Sequence, residues 1–329
     1  MHVAAFAAFE PKERLRPFTY QTSSLAPHEI LVKISHCGLC RSDIHLIDDD
    51  WNRSRYPLVP GHEIIGTIVE KGESVNLSLD QRIGVSWIRS SCLECIHCRQ
   101  GDTNVCLKKT TTCNGNYGGF ANYMIADSRF VFPIPDSLDS ALAAPLLCAG
   151  ATVYAPLRKH GAQKNHSVAV IGIGGLGHLA LQFASALGCE TTAISHSPSK
   201  KSESHSFGAH HFHTHDSLPP PLTFDLILST VDANLDWNAI LSLLKPKGTL
   251  VFLGRPLSPA QIDIAQILSL QRSITGNSTA NRSVMNEMLQ FASSHSIQPK
   301  IELFPLSQVN QGIERVKSNA VRYRVVLKI

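Results

Sequence analysis

Up to about Cys148 the apolar positions fall in short runs, alternating or β-branched, each closed by a turn former. Ile30–Gly38 (ILVKISHCG), Glu63–Gly72 (EIIGTIVEKG) and Arg82–Ile88 (RIGVSWI) predict strands bounded by Gly, Asp or Asn. From about Gly150 the period changes. SVAVIGIGGLG, HLALQFASALG and ETTAIS predict a strand, a glycine-rich turn, a helix and a second strand. FDLILST (Phe224–Thr230) and GTLVFLG (Gly248–Gly254) predict two further buried strands, the second following a helix-like NAILSLLKPK. Strands alternating with helices predict a parallel, doubly wound sheet. The stretch from Ser283 predicts two helices and two strands, ending in RYRVVLKI, and no internal repeat is visible.

Composition adds bounds. A chain of 329 residues accommodates two ordinary domains, each with its own core. At 43% hydrophobic and 17% charged, it is an ordinary globular composition. The formal charge of +4 is spread along the chain, too weak and diffuse for nucleic acid. MHVAAFAAFEPKER has no cationic segment ahead of its apolar residues, so it does not read as a signal peptide. Ala141–Leu157 and Ser167–Gly188 are apolar, but Pro145 and Gly150 in the first, and several glycines and His178 in the second, read as buried elements rather than membrane spans. The expected setting is cytoplasmic, with thiols reduced.

Four of the nine cysteines lie within fifteen residues: Cys92, Cys95, Cys98 and Cys106, spaced C-x2-C-x2-C-x7-C. Four thiolates this close can wrap one tetrahedral ion, which fits a closed structural Zn²⁺ site. Arg89, Arg99, Lys108 and Lys109 would offset part of its negative charge. An iron–sulfur run of the bacterial ferredoxin type would end in x3-C-P, and here the last gap is seven with no proline after it. Disulfides need an oxidising compartment, and a DNA-reading finger needs a basic helix after its ligands.

Gly172-Ile173-Gly174-Gly175-Leu176-Gly177 follows the strand predicted at Ser167–Ile171 and opens a helix. In that setting the motif predicts a dinucleotide site: one glycine for the tight turn, one for pyrophosphate approach, one for helix–strand packing. At the end of the next strand, where NAD-binding proteins carry an acidic residue, the chain reads Ser195-His196-Ser197-Pro198-Ser199-Lys200-Lys201. With no carboxylate there, hydroxyls, an imidazole and lysines suit a 2′-phosphate, so NADP(H) is expected ahead of NAD. The bland alternative is a polar loop indifferent to that phosphate.

Three more ligand types stand apart: Cys40 in CGLCRSDIH, His62 in VPGHEIIG and Cys148 in PLLCAGATVY. Two Cys and one His from separate segments form the ligand set of an open, catalytic zinc site. With YPLVPGHEIIG, YGGFANY, GIGGLGHLALQFA, VFLGRP and the closing IELFPLSQVNQGIERVKSNAVRYRVVL, the whole chain resembles the zinc-dependent alcohol dehydrogenases of the medium-chain dehydrogenase/reductase superfamily, in the cinnamyl-alcohol-dehydrogenase-like branch. The resemblance implies an α/β chain with a GroES-like β-rich catalytic domain (1–149 and 286–329) and a Rossmann NADP-binding domain (150–285). It implies two zinc ions per chain, one on Cys40, His62 and Cys148 with Glu63 able to approach, one on the four-cysteine run. It makes Asp43 the partner of the zinc-bound imidazole, and Ser42 and His45 a proton relay. Thr152 and Ser278 become cofactor contacts, and a homodimer is implied.

Trp87 and Trp51 are expected to line the substrate pocket, where an indole favours small or flat alcohols and aldehydes. GVSWIRSSC and Arg41 depart from the plant lignin enzymes, which argues against cinnamaldehyde itself and for a broad preference. A polyol or amino-alcohol dehydrogenase on the same fold, and a non-catalytic NADPH-binding protein, are the alternatives. Cys37, Cys113 and Cys189 receive no role, and His205, His210, His211, His213 and His215 read as a solvated loop.

Overall fold

The computed structural model describes residues 1–256 and 258–329. The chain divides into two compact units, residues 1–148 with 281–293 and 298–329, and residues 149–280 with 294–297.

The first unit is built on a seven-stranded sheet ordered Ile301–Pro305, Arg324–Lys328, Glu29–Leu39, Glu63–Lys71, Arg82–Val85 and Val131–Pro133, with Tyr123–Asp127 also pairing on Glu29–Leu39. Glu29–Leu39 is the spine. It pairs antiparallel with Glu63–Lys71 on one edge, and with Tyr123–Asp127 and then Arg324–Lys328 on the other. Register shifts between Leu31 and Val32 and between Ile34 and His36 bend it, as bulges do. Its inward residues Ile30, Val32, Ile34, Cys37 and Leu39 join Ile64, Ile68, Ile83, Val85, Phe120 and Val325 in one core. The strand delivers Leu39 to the start of the helix Arg41–Ile47, so Cys40 caps that helix at the edge of the core.

The second unit is a six-stranded, all-parallel sheet ordered His211–Thr214, Glu190–Ser195, Ser167–Ile171, Phe224–Ser229, Leu244–Phe252 and Ser273–Gly276. Numbered in chain order this is 3-2-1-4-5-6, the Rossmann arrangement, whose switch point lies between the first and fourth strands. Val168–Ile171 is fully buried, as a strand covered on both faces must be. The helix Gly177–Ala186 leaves from its end.

Three predicted elements change. RIGVSWI is two strands, Arg82–Val85 and Ile88–Ser90. Thr112 causes the break: its hydroxyl donates to the Ser86 carbonyl and its N–H to Trp87 O at 3.0 Å, turning the chain toward the short strand Thr110–Thr111. NAILSLLKPK is helical only through Ser242, and the strand begins at Leu244. Pro246 has no N–H for a helix ladder, and the register shift between Phe224 and Leu226 accommodates it at the strand's start. The histidine tract is not one loop. His205 ends the helix Lys201–Ser206, while His211 and His213 sit on the edge strand. Their rings are held locally: His205 by Ala209 O, His210 by Thr191, His211 by Glu190 and His213 by Ser217 O.

Candidate active site

Asp43, fully buried in the helix Arg41–Ile47, organises the ligand cluster of the first unit. Its Oδ2 accepts the Cys40 N–H at 2.9 Å, closing a capping box. Its Oδ1 accepts Gly61 N at 3.0 Å and meets His62 Nδ1 at 2.8 Å. One carboxylate thereby fixes the backbone before one cysteine, the turn before the histidine, and the ring itself. With Nδ1 protonated toward Asp43, the lone pair belongs to Nε2. Nε2 is buried and has no hydrogen-bond partner among the described residues. Cys40 Sγ, Cys148 Sγ, a His62 nitrogen and a Glu63 oxygen all lie within 4.8 Å of one another. An orphaned imidazole nitrogen beside two thiols, Cys40 buried and Cys148 partly so, is the donor set of a zinc ion, and these residues fit one.

Glu63 follows His62 on the same strand and is likewise fully buried. Its Oε1 accepts from Arg324 Nη2, while Oε2 has no hydrogen-bond partner among the described residues. Burial pushes this carboxyl up and Arg324 pulls it back toward the charged form. Gly38 makes the room: a Cβ there would lie 1.9 Å from Glu63 Oε2. Arg324 was invisible to motif reading. Only the final strand, which pairs Val325 with Leu39, brings it across 261 residues of sequence.

Ser42 and His45 lie three apart on one helix face. His45 Nδ1 is 2.6 Å from Asp50 Oδ2, a partner the motif did not include. Aromatic rings join this helix to the ligands: His45 stacks near Trp51 (5.2 Å between centroids), Trp51 meets Trp87 edge-on at 6.4 Å, and Trp87 meets His62 edge-on at 4.8 Å. Trp87 therefore flanks the cluster, and Trp51 packs between Trp87 and His45. Two of the unassigned cysteines pack near the cluster. Cys113 Sγ is 3.9 Å from the Asp43 oxygen that holds His62, and Cys37 Sγ contacts Gly38 O at 3.5 Å. In the second unit, Cys189 Sγ contacts Gln163 O at 3.4 Å.

The four-cysteine run folds as its own small lobe. Cys95 caps the short helix Ile96–Arg99, which carries Cys98, and the turn Thr103–Val105 leads into Cys106. Cys92 Sγ lies 3.8 Å from Cys98 Sγ and 3.5 Å from Cys106 Sγ, and all four sulfurs fall within 4.8 Å of one another. Backbone N–H groups of Glu94 and Cys95 hold the Cys92 thiol down to about 6, readying a thiolate. Ile96 and Leu107 stay exposed (66% and 99%), so the lobe has little apolar core to hold it. A metal crosslink fits that deficit.

In the second unit, Gly172 turns at φ +87, a conformation that favours glycine. A Cβ on Gly177 would collide with Gly172 O at 1.9 Å, whereas one on Gly174 would meet nothing within 4 Å. The open space at Gly174 is a cradle a pyrophosphate can approach; Gly175 and Leu176 complete the turn. Lys200 Nζ donates to Ile173 O at 2.5 Å, placing the ammonium over the turn. Ser195 is buried and its hydroxyl accepts Ser197 N at 3.2 Å, while His196 is exposed. Thr152 Oγ1 donates to Ser278 O at 3.0 Å, bringing those two residues together.

Comparison with known proteins agrees. Residues 26–136 match the alcohol dehydrogenase GroES-like domain, and residues 175–294 match the zinc-binding dehydrogenase family. An aldehyde reductase of Synechocystis is 39% identical over 332 residues, covering 99% of this chain and 98% of that protein. The structure of a cinnamyl alcohol dehydrogenase from Sorghum bicolor superposes with a TM-score of 0.96 at 32% identity, over 100% of this chain and 98% of the other. That of a Helicobacter pylori cinnamyl alcohol dehydrogenase complexed with NADP(H) gives 0.93 at 29% identity, over 99% and 98%. The chain belongs to the zinc-binding alcohol dehydrogenases of the medium-chain dehydrogenase/reductase superfamily, in the cinnamyl-alcohol-dehydrogenase-like branch. It is accordingly an oxidoreductase with a GroES-like domain and a Rossmann domain.

Proposed function

We propose that this protein interconverts a primary alcohol and its aldehyde by hydride transfer with NADP(H), at a zinc held by Cys40, His62 and Cys148. The observation that carries the reading is the buried, unpartnered His62 Nε2 facing the two thiols, with Nδ1 tied to Asp43. Zinc bound there supplies a Lewis acid that acidifies an alcohol or polarises a carbonyl, and NADP(H) supplies the hydride acceptor or donor.

The chain's own residues do the rest. Asp43 keeps His62 in the tautomer that offers Nε2. Ser42 and His45 carry the alcohol proton outward, and Asp50, on the imidazole's Nδ1, orients the ring. Trp87 and Trp51 exclude water and admit a flat substrate, which favours aromatic or short aliphatic aldehydes over a polyol. Glu63, held by Arg324, stands behind the ligands with one free oxygen able to approach the metal. The four-cysteine lobe would hold a second, structural zinc. Gly172, Gly174, Gly175, Leu176 and Gly177 would seat the pyrophosphate, Thr152 and Ser278 would touch the cofactor, and Ser195, His196, Ser197 and Lys200 would receive the 2′-phosphate.

The setting we infer is a cytoplasmic homodimer. All nine cysteines are free thiols, as a reducing compartment requires, and among the described residues no single helix is long and apolar enough to cross a membrane. Atomic analysis of the purified protein, with kcat/KM for NADPH and NADH over a benzaldehyde, butanal and sorbitol series, tests the reading. Two zinc ions per chain and a preference for NADPH with an aldehyde are expected. Full activity with a single zinc, or a preference for sorbitol, would overturn it.

A further inference from the structure

The first unit has a cavity apart from the ligand cluster, of ≈ 490 Å³, whose walls include Tyr20, Arg55, Tyr56, Arg89, Asn116 and Tyr117. Neither the metal-ligand residues nor Trp51 and Trp87 line it. Its charge is one-sided. Arg89 is partly buried on the strand Ile88–Ser90, and Arg55 is exposed ahead of Tyr56. Among the described residues neither guanidinium has a hydrogen-bond or ion-pair partner. The carboxylates that feel Arg89 at range are engaged elsewhere. Glu29 Oε2 accepts Ala26 N at 2.9 Å, and Asp127 is gripped through both oxygens by Arg129 at 2.9 and 2.7 Å. Desolvation alone works against the Arg89 charge.

A cation withdrawn from water without an acceptor is costly, and an anion supplied from outside removes that cost. Two of the other polar groups in the wall are engaged elsewhere. Tyr56 donates its hydroxyl to Leu46 O and Ile47 O at 3.2 and 2.9 Å, and Asn116 Nδ2 donates to Thr111 O at 3.0 Å. Tyr20 and Tyr117 pack ring to ring at 4.4 Å between centroids and give the cavity an aromatic wall.

We propose that this cavity binds a planar organic anion, an oxyanion carried on an aromatic ring, with Arg89 and Arg55 receiving the charge and Tyr20 and Tyr117 flanking the ring. The guanidinium fork matches a carboxylate or a phosphate equally, and the volume is that of a small-molecule site. The proposal stands apart from hydride transfer: no residue of the cavity belongs to the metal cluster, the relay or the glycine-rich turn.

The test is calorimetric titration of the zinc-loaded protein with 4-bromobenzoate and with phenyl phosphate, and a crystal soaked in 4-bromobenzoate to locate bromine by its anomalous signal. Saturable binding with bromine beside Tyr20 and Tyr117 is expected. Arg89→Gln and Arg55→Gln should each weaken binding about tenfold or more, with the hydride-transfer rate unchanged. Tighter binding of the benzoate identifies an organic acid as the natural class; tighter binding of the phosphate identifies a phosphate ester. Arg55 is exposed, so its variant keeps the test decisive even if Arg89→Gln fails to fold. Absence of binding, equal binding of uncharged 4-bromobenzamide, unchanged affinity in Arg55→Gln, or bromine beside Cys40 and Cys148 instead would each overturn the proposal.

Discussion

The His45 imidazole and the Asp50 carboxylate approach to 2.6 Å between Nδ1 and Oδ2, at the outer end of the helix that begins beside Cys40. An imidazole pinned through Nδ1 has a fixed ring orientation and leaves Nε2 to exchange the proton. Asp50 is then a positioning residue for the relay. Asp50→Asn should lower kcat about tenfold, with little change in aldehyde KM, and distort the pH–rate profile. His45→Ala should fall further and recover in part with added imidazole buffer. A fall in KM alone, with no change in the pH profile, would assign Asp50 to folding.

Gly174 and Gly177 stand three residues apart and predict opposite outcomes. A methyl on Gly174 meets nothing within 4 Å, so Gly174→Ala should leave the melting temperature unchanged while raising the NADP⁺ KM about tenfold or more. A methyl on Gly177 strikes the Gly172 carbonyl at 1.9 Å, so Gly177→Ala should lower stability itself. Thermal denaturation beside cofactor kinetics separates the two. Equal kinetics in Gly174→Ala and wild type would remove the pyrophosphate from this turn.

Lys200 reaches the Ile173 carbonyl within the turn, so its ammonium sits where it would meet a ribose phosphate. Lys200→Ala should reduce kcat/KM for NADPH by about tenfold while leaving NADH nearly unchanged. A parallel loss with both cofactors would make the lysine a brace of the turn.

What could be read from sequence follows the range of the signal. The four-cysteine run and the Gly172–Gly177 turn are local, and the rules that find them are rules of spacing. Cys40, His62 and Cys148 carry no mutual spacing and are gathered only as ligand types and by resemblance; the fold then brings them within 4.8 Å. Arg324 had neither signal, because its pairing with Glu63 depends on the register that sets Val325 against Leu39. Asp50 is within reach, five residues from His45, but a run of three acids, Asp48 to Asp50, after a helix reads as a solvated end. The break in RIGVSWI depends on Thr112, whose hydroxyl reaches Ser86 from 26 residues away, and alternation alone cannot reveal it.

Glu302 clasps the end of the first unit. Its two oxygens take Arg315 Nη2 and Nε at 2.8 and 3.0 Å, and Oε1 also accepts Arg322 N at 2.9 Å, tying the helix Val309–Lys317 to the strand Ile301–Pro305. Hydrogen bonding from Arg315 holds the carboxyl below its ordinary value of 4.5 in the folded chain. A folded pKa below the unfolded one stabilises at pH above 4.5, and that contribution disappears as pH falls through the folded value. The Arg315 side chain is 40% exposed and that of Glu302 24%, so solvent screening keeps the clasp weak. Glu302→Gln should therefore melt slightly below wild type at pH 7, and the gap should narrow at an acidic pH below 4.5, read by thermal unfolding at the two pH values. A gap of the same size at both would place the effect in the shape of the side chain and not in its charge.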